Sequence, residues 1–504
     1  MGGGGGCVIK TISLKAYQEK VGDSVMTVNT DTDTYTFVSG TSHTIKCYNI
    51  EFSKNDTLVI PEGANVILES PLTIEKETNG IARITINGSL TLKEGSAITF
   101  GTIISDAIGE RGANGIVVNS LNGLVMEGGD ITIDTIKDGI NYVDKSSGGI
   151  AINKDGSMIQ KGGSINIETM EKIAFGISAY QGGEFVQEGG LIKINTMTTE
   201  KDATNSVAGV VAYQGGKIIQ RQGKIHGVTV RGYLSSLVNV ASDGSSFVQE
   251  KDGRIQVDNV NSNAGVLVAR SATFNQNGGQ IAISNVTSDA ETYAVGVYVA
   301  TSAIFTQEEG QITISNVTND AETYAIGLVV SKSGATFTQN GGQITISDVT
   351  GTDAAGVYVA TSGAIFTQNG GQITISNVTT SDAETYAIGL DVINSGTFNQ
   401  NRGSIEVSDV GDNAFGVGVY SSATTFNVKN LTVSGAEKSD DSVGFLSEGK
   451  GGVVNSGRVR VYGTAIKYSK DGDSETSPSP TDNNGGAGDN KYFTGKTYFD
   501  TEAL

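Results

Sequence analysis

Apolar and polar residues alternate along this chain in a pattern that repeats every 27 to 34 residues, the extremes being Met158 to Phe185 and Leu124 to Met158. Four near-identical segments show the repeat most clearly: FNQNGGQIAISNVT (274 to 287), FTQEEGQITISNVT (305 to 318), FTQNGGQITISDVT (337 to 350) and FTQNGGQITISNVT (366 to 379). Each is followed by a loop and then by a short apolar segment, such as YAIGLVVS (324 to 331). A variable period indicates strands of fixed length joined by loops of unequal length.

Alternation with a period of two predicts which side chains face the interior. Each unit contains three such faces, carried in the central repeats by Phe337 and Gln339, by Ile344 and Ile346, and by Ile326, Leu328 and Val330. Propeller blades would need a fourth strand, which no unit supplies. The pattern therefore predicts an all-β protein, a right-handed single-stranded parallel β-helix (solenoid) of about 12 or more coils with three strands per coil.

Stacking of such coils places equivalent side chains about 4.8 Å apart, so each repeated residue type predicts a column along the axis. We expect an aromatic column, an amide ladder that satisfies buried polar groups, glycine corners with positive φ, and an asparagine corner ladder in preference to glycosylation sites. The aromatic column would contain Phe274, Phe305, Phe337, Phe366, Phe398 and Phe426, and the amide ladder would contain Gln276, Gln307, Gln339, Gln368 and Gln400. The glycine corners would be Gly278-Gly279, Gly341-Gly342 and Gly370-Gly371. The asparagine corner ladder would contain Asn285, Asn316 and Asn377.

The repeat pattern divides the chain into three regions. Residues 1–45 are expected to form a leader or N-terminal cap that covers the edge of the first coil. Residues 46–467 form the predicted parallel β-helix. Residues 468–504 lose the apolar period, and we expect a flexible acidic C-terminal tail.

Composition and charge argue against several classes of function. The 504 residues carry a formal net charge of -20, which repels phosphate backbones and argues against a nucleic-acid partner. No apolar run is long enough for a membrane-spanning helix, so we expect no membrane-spanning segment in this chain. The two cysteines, Cys7 and Cys47, lie near the N-terminus, and the fold cannot depend on their pairing.

The GGQITISNVT-type units, together with a cysteine-poor, tryptophan-free composition rich in Gly, Ser, Thr and Asn, resemble the passenger domains of bacterial autotransporters and related β-helical surface adhesins. The resemblance spans roughly residues 50 to 467. It implies secretion, an extracellular location on the bacterial cell surface, and adhesion to a host or neighbouring-cell surface protein or glycan, possibly to the chain itself.

Candidate contact residues lie in the recurring DAETY loops and on the strands that follow them. Equivalent loops on neighbouring coils bring like charges close together, which repel unless the side chains extend into water or a cation or receptor contacts them. The tyrosines either pack between loops or form an exposed stripe that binds a glycan or protein. The candidates are Asp289, Glu291, Tyr293, Asp320, Glu322, Tyr324, Asp382, Glu384 and Tyr386 in the loops, and the outward Tyr298 and Tyr358 on the strands.

Parallel β-helices also include polysaccharide lyases, hydrolases and tailspikes, whose chemistry needs paired carboxylates with Arg, Lys or calcium. The acidic loops here are copied, whereas catalytic sites tend to be unique. We therefore predict a non-enzymatic surface protein that mediates adhesion or self-association through a repeated polar face, without catalytic residues, metal or cofactor. The alternative is a polysaccharide-degrading lyase or hydrolase, or a tailspike-type enzyme.

Overall fold

The computed structural model describes residues 8–53, 55–74, 78–79, 83–104, 113–137, 147–199, 206–232, 235–261, 263–288, 293–319, 324–351, 353–380, 387–411, 414–420, 424–433, 443–448, 453–462, 465–470, 473–476 and 490–494. These ranges are nearly all β-strand, with one helix at Leu14–Val21. Strands on successive turns pair in parallel, so the predicted parallel β-helix is confirmed.

Each turn contributes a strand to three ladders that run along the solenoid. Ladder 1 contains short strands whose inward residues are aliphatic or Met in the first turns and become Phe and Gln in the later ones: Ser42–Ile45, Asn65–Leu68, Ser89–Leu92, Leu124–Met126, Ser157–Gln160, Glu184–Gln187, Thr273–Gln276, Ile304–Gln307, Thr336–Gln339, Ile365–Gln368 and Thr397–Gln400.

Ladder 2 contains strands that are short in the first turns and longer from Ala97–Ile104 onward: Lys10–Ser13, Tyr48–Glu51, Pro71–Ile74, Thr78–Asn79, Ala97–Ile104, Asp130–Lys137, Ser164–Glu171, Leu191–Thr198, Gln280–Ser288, Gln311–Asn319, Gln343–Gly351, Gln372–Thr379 and Ser404–Val410. Four continuous strands belong to both ladders 1 and 2: Lys217–Arg231, Ser246–Asn261, Thr425–Val433 and Val453–Tyr462.

Ladder 3 contains the apolar strands that precede each Phe-Gln strand: Thr34–Phe37, Thr57–Ile60, Ile84–Ile86, Asn114–Val118, Ser147–Ile152, Ala174–Tyr180, Val207–Tyr213, Ser235–Ala241, Asn263–Ala269, Ala294–Ala300, Ala325–Ser331, Ala354–Ala360, Ala387–Ile393, Ala414–Tyr420, Val443–Glu448 and Ala465–Lys470. Inward residues of all three ladders form one continuous core.

The predicted aromatic column lies inside ladder 1. Phe247, Phe274, Phe305, Phe337 and Phe366 are fully buried, and successive ring centroids lie 4.6 to 4.8 Å apart. The rings stack because parallel strands repeat at nearly the same spacing. The prediction is confirmed as far as Phe398, whose ring stacks on Phe366 with centroids 4.9 Å apart. Between Phe398 and Phe426 the centroids lie 5.5 Å apart and the ring planes are tilted by 36°.

The amide ladder is confirmed for only part of the column. Its along-axis bonds run through the earlier turns, where Gln220 Nε2 donates to Gln187 Oε1 (2.9 Å) and Gln276 Nε2 donates to Gln249 Oε1 (3.1 Å). From Gln307 onward the prediction is wrong. The amide nitrogens donate there to backbone carbonyls of the next turn, as Gln339 Nε2 does to Gln372 O (3.2 Å).

This change leaves four buried amide oxygens without a hydrogen-bond partner in the described part of the chain: those of Gln276, Gln307, Gln339 and Gln368. Amide nitrogens in both parts of the column donate to a backbone carbonyl of the next turn, as Gln220 Nε2 does to Arg254 O (3.0 Å). Only those of the earlier turns also donate along the axis to the preceding glutamine.

The inward assignment of Ile326 is also wrong. Ile326 lies in a separate outer cluster with Val295 and Val329, while Leu328 and Val330 point inward as predicted. Gly327 breaks the alternation, since a Cβ there would lie 2.9 Å from Ile346 Cγ2 in the core. Two successive residues, Gly327 and Leu328, thus occupy the inner face, which shifts Ile326 outward.

Corners form where the backbone takes the left-handed conformation. Gly371, the second glycine of its pair, has φ 75°, and a Cβ there would lie 2.5 Å from Gly342 O. Within ladder 2, Asn316 has φ 53° and donates from Nδ2 to Asn285 Oδ1 (2.9 Å). Asn285 donates in turn to Asn259 Oδ1 (3.1 Å), so the predicted asparagine corner ladder is confirmed at these turns.

At the N-terminal end, Ser13 caps the helix Leu14–Val21 by accepting a hydrogen bond from Ala16 N (3.1 Å). The strand Met26–Asn29 then pairs antiparallel with Thr34–Phe37. Parallel pairing already occurs within the residues expected to form the cap, because Lys10–Ser13 pairs with Tyr48–Glu51 and Thr34–Phe37 pairs with Thr57–Ile60. Cys47 is disulfide-bonded, and the other cysteine of the sequence, Cys7, lies outside the described residues.

At the C-terminal end, two strands lie within the region expected to be a flexible tail. Asp473–Thr476 pairs antiparallel with Ala465–Lys470, and Asn490–Thr494 pairs antiparallel with Val453–Tyr462. Antiparallel pairing covers the open edges of the last turns, which would otherwise present unpaired backbone groups.

Candidate binding surface

The outer face of ladder 3 carries the tyrosines that the sequence singles out. Tyr298, Val329, Tyr358 and Asp391 occupy equivalent outward positions on four successive turns. Parallel pairing places neighbours in this column about 4.8 Å apart. These residues therefore form one continuous stripe along the rod.

Two exposed tyrosines stand at one edge of the stripe, each directly before a ladder 3 strand. Tyr293 and Tyr324 are 58% and 41% exposed, and their rings stack with centroids 5.6 Å apart and planes 21° from parallel. Asp353 takes the equivalent place before the next strand, Ala354–Ala360. The aromatic pair thus ends at a carboxylate one turn further along.

Tyr298 and Tyr358 are half-buried against the outer apolar cluster, which contains Val295, Ile326 and Val329. The Tyr298 hydroxyl accepts a hydrogen bond from Ser331 Oγ (3.2 Å). Burial, and then the charge of Asp391, raise the pKa of the Tyr358 hydroxyl, which stays protonated at neutral pH. Both phenols are therefore hydrogen-bond donors and acceptors set in an apolar surround.

Asp391 is a buried carboxyl in the same column, directly beside Tyr358. Its side chain is 7% exposed, and Oδ1 has no hydrogen-bond partner among the described residues. Burial raises the pKa of Asp391 to about 8. The group is thus a neutral acid at pH 7 and can donate a hydrogen bond, which an ionised carboxylate cannot do.

Asp353 and Tyr324 form the more exposed part of the surface. Burial raises the pKa of Asp353 above its ordinary value. Burial, followed by the charge of Asp353, also raises the pKa of Tyr324. The stripe therefore combines aromatic faces, phenol hydroxyls and two carboxyls with weakened acidity.

Four of the predicted contact residues lie together on this surface: Tyr293, Tyr298, Tyr324 and Tyr358. We call the surface that these four residues form with Val329, Asp353 and Asp391 the tyrosine stripe. The remaining seven lie outside the described residues: Asp289, Glu291, Asp320, Glu322, Asp382, Glu384 and Tyr386.

Sequence reasoning missed Asp353 and Asp391. A signal for Asp391 exists in the segment YAIGLDVI (386 to 393), because the equivalent positions on earlier turns hold Tyr298, Val329 and Tyr358. A single acid in an otherwise apolar or aromatic column requires either a partner or protonation. The signal for Asp353 is its place in the column of Tyr293 and Tyr324.

The chemistry available here is recognition by flat aromatic faces bordered by hydroxyl and carboxyl groups. Across the ranges set out above, no group of three or more His, Cys, Asp or Glu side chains could hold a metal ion. The described part of the chain also contains no helix with the length and hydrophobicity to cross a membrane.

The fold and this surface define a β-solenoid repeat protein with an outward tyrosine stripe. No protein-family model, curated protein or solved structure matches the chain. Its function is therefore argued from the surface itself.

Proposed function

We propose that this chain is an extracellular β-helical surface protein that mediates adhesion or self-association, and that the tyrosine stripe is its contact surface. The observation that carries the proposal is the exposed, stacked pair Tyr293 and Tyr324. Exposed aromatic rings leave apolar area in water, and a partner that covers them recovers that free energy.

The expected partner is a glycan or protein on a host or neighbouring cell, or a second copy of the chain. Tyrosine suits such contacts because a rigid ring supplies contact area at low entropic cost while its hydroxyl satisfies a polar group. A rod shape adds avidity, because several weak contacts along one face act together. Display at the bacterial cell surface, which the likeness to β-helical adhesins implies, would bring the stripe to its partners.

A second candidate is a polysaccharide-processing enzyme, and Asp391 is the observation that favours it. A carboxyl that is neutral at pH 7 can act as a general acid when a second carboxyl lies nearby.

The test compares the double variant Tyr293→Ala/Tyr324→Ala with a matched control, Tyr180→Ala/Tyr213→Ala. The control removes another stacked tyrosine pair of ladder 3, with centroids 6.2 Å apart, away from the stripe. Binding of the labelled chain to a glycan array, to cultured cells and to immobilised chain is measured for each.

We expect the stripe variant to lose roughly tenfold or more in affinity for whichever surface the wild type binds, and the control to keep it. Equal losses in both variants, or none in either, contradict the proposal. Release of new reducing or unsaturated ends from an acidic polysaccharide panel, abolished by Asp391→Asn, would instead establish the enzyme.

A further inference from the structure

A second surface, on ladder 2, concentrates positive charge in a chain whose formal net charge is -20. Lys224 and Arg254 occupy equivalent outward positions on adjacent turns. Lys193 and His226 do the same in the next outward column, two residues further along their strands. We call these four residues the basic patch.

The geometry of parallel strands makes the patch compact. Equivalent residues on adjacent turns lie about 4.8 Å apart, and outward residues of one strand lie about 6.6 Å apart. The four side chains therefore share one flat area of the sheet. Arg254 is exposed, and the other three are half-buried.

Most of this positive charge is not neutralised by the protein. No carboxylate in the described residues lies within ion-pair distance of Lys193, Lys224 or Arg254. His226 Nε2 contacts Asp258 Oδ2 at 2.8 Å, which places one carboxyl group at the edge of the patch. The nearby Arg221 differs, because its guanidinium contacts Glu188 Oε1 at 2.7 Å.

The surroundings of the patch indicate what it binds. In the direction of increasing residue number, the column of Lys224 and Arg254 continues as Gln280, Gln311 and Gln343. The column of Lys193 and His226 continues through Gln256 and Ala282 to Thr313, Thr345 and Thr374.

The basic patch thus stands at one end of a flat face of amides and hydroxyls. Such a face offers hydrogen bonds to a hydroxyl-rich polymer along the axis, while the cations offer charge-assisted bonds to its acidic groups.

We propose that the basic patch binds the acidic groups of an anionic polysaccharide that lies along the outer face of ladder 2. The site is separate from the tyrosine stripe on ladder 3, and the proposal does not rest on that surface. Duplex DNA fits less well, because its backbone presents no free sugar hydroxyls to the amides and hydroxyls beside the patch.

The test measures binding of the full chain to polygalacturonic acid and to dextran sulfate, with neutral dextran as the reference polymer, by affinity electrophoresis at low and moderate salt. The patch variant is Lys193→Gln/Lys224→Gln/Arg254→Gln. The matched control, Lys154→Gln/Lys161→Gln/Arg402→Gln, removes the same charge from exposed positions elsewhere. Thermal unfolding checks that both variants remain folded.

We expect the wild type to bind at least one acidic polymer more tightly than dextran, with affinity that falls as salt rises. The patch variant should lose roughly tenfold or more in affinity, because it removes three charge-assisted contacts from one area. The control should lose less than threefold, because its three cations lie elsewhere on the rod. Tighter binding to polygalacturonic acid or to dextran sulfate shows whether the patch prefers carboxylate or sulfate groups.

Several results would overturn the proposal: no binding of the wild type to either acidic polymer, equal losses in the two variants, or binding of duplex DNA at least as tight as that of the polysaccharides. Loss of self-association in the patch variant, with polysaccharide binding unchanged, would assign the patch to an acidic surface of a second copy. Failure of the tyrosine stripe test leaves all of these readouts unaffected.

Discussion

Asp391 shows how much one residue can matter in a column of otherwise apolar side chains. Its neighbours in the stripe are aromatic or apolar, and its buried carboxyl lacks a partner on Oδ1. Burial raises the pKa of Asp391 to about 8, against 3.8 in an unfolded chain. Between these values the folded state holds a proton that the unfolded state releases, so stability must fall as pH rises.

We therefore predict that Asp391→Asn removes a pH dependence. In the wild type, the free energy of unfolding should fall between pH 4 and pH 8 by up to about 1.4 kcal/mol per pH unit from this group. In the variant that contribution is absent, so its stability relative to the wild type should increase with pH. Urea unfolding of both proteins at pH 5, 6.5 and 8 measures this, and parallel curves would contradict the assignment of a neutral acid.

The buried glutamines permit a second comparison between single residues. Gln220 is bonded at both ends, to Gln187 Oε1 at 2.9 Å and from Gln249 Nε2 at 3.1 Å. Gln339 Oε1 has no partner in the described part of the structure. We expect Gln220→Leu to lower the free energy of unfolding by about 2 kcal/mol, because it leaves buried amide groups of the neighbouring glutamines without hydrogen-bond partners. Gln339→Leu should lower it by less than about 1 kcal/mol.

Thermal and urea unfolding of the two glutamine variants checks this difference. The substitution and the column are the same, so differences in side-chain volume cancel. Equal destabilisation would mean that the amide ladder continues through Gln339.

At the scale of the element, the asparagine corner bends ladder 2 within each turn. Asn316 combines a left-handed backbone, φ 53°, with a hydrogen bond to Asn285. Asn316→Ala removes the bond and places a residue with a Cβ but no capping group in a strained region, so we expect a loss of about 1–2 kcal/mol. Asn316→Gly removes the bond alone and should cost less, as unfolding titrations of both variants can show.

Strands and columns were the most predictable features, because a stacked repeat presents each inward residue many times. Phe337 and Ile344 could be placed from alternation alone. Ile326 could not, since Gly327 admits two successive residues to the inner face and breaks the period of two. The amide ladder was overestimated because the repeated glutamines are identical in sequence, whereas only those up to Gln276 donate to the preceding amide oxygen.

Features that occur once were harder to find than repeated ones. Asp391 interrupts a column, and its neutral state depends on burial that no local pattern reveals. The pair His226 and Asp258 is separated by a full turn of sequence, so only the strand register brings the two side chains to 2.8 Å. For the same reason the basic patch becomes visible only when Lys193, Lys224 and Arg254 are aligned turn by turn.

The whole molecule behaves as a one-dimensional stack, because each turn contacts mainly the turns before and after it. Near-copies of a turn are therefore interchangeable. Deletion of residues 337–365 joins Thr336 to Phe366, which keeps the Phe and Gln columns and the alternation of all three ladders in register. We predict a folded, soluble rod that is shorter by one turn, about 4.8 Å.

Deletion of residues 337–351 provides the contrast, because it removes only part of a turn and places a ladder 3 sequence where ladder 1 belongs. This variant should misfold or aggregate, since its inward residues no longer stack on their equivalents. The full-turn deletion should unfold cooperatively in urea with an m-value reduced by the surface of one turn. If both deletions fold equally well, or both fail, the turns are not interchangeable units and the columns do not determine the register of the stack.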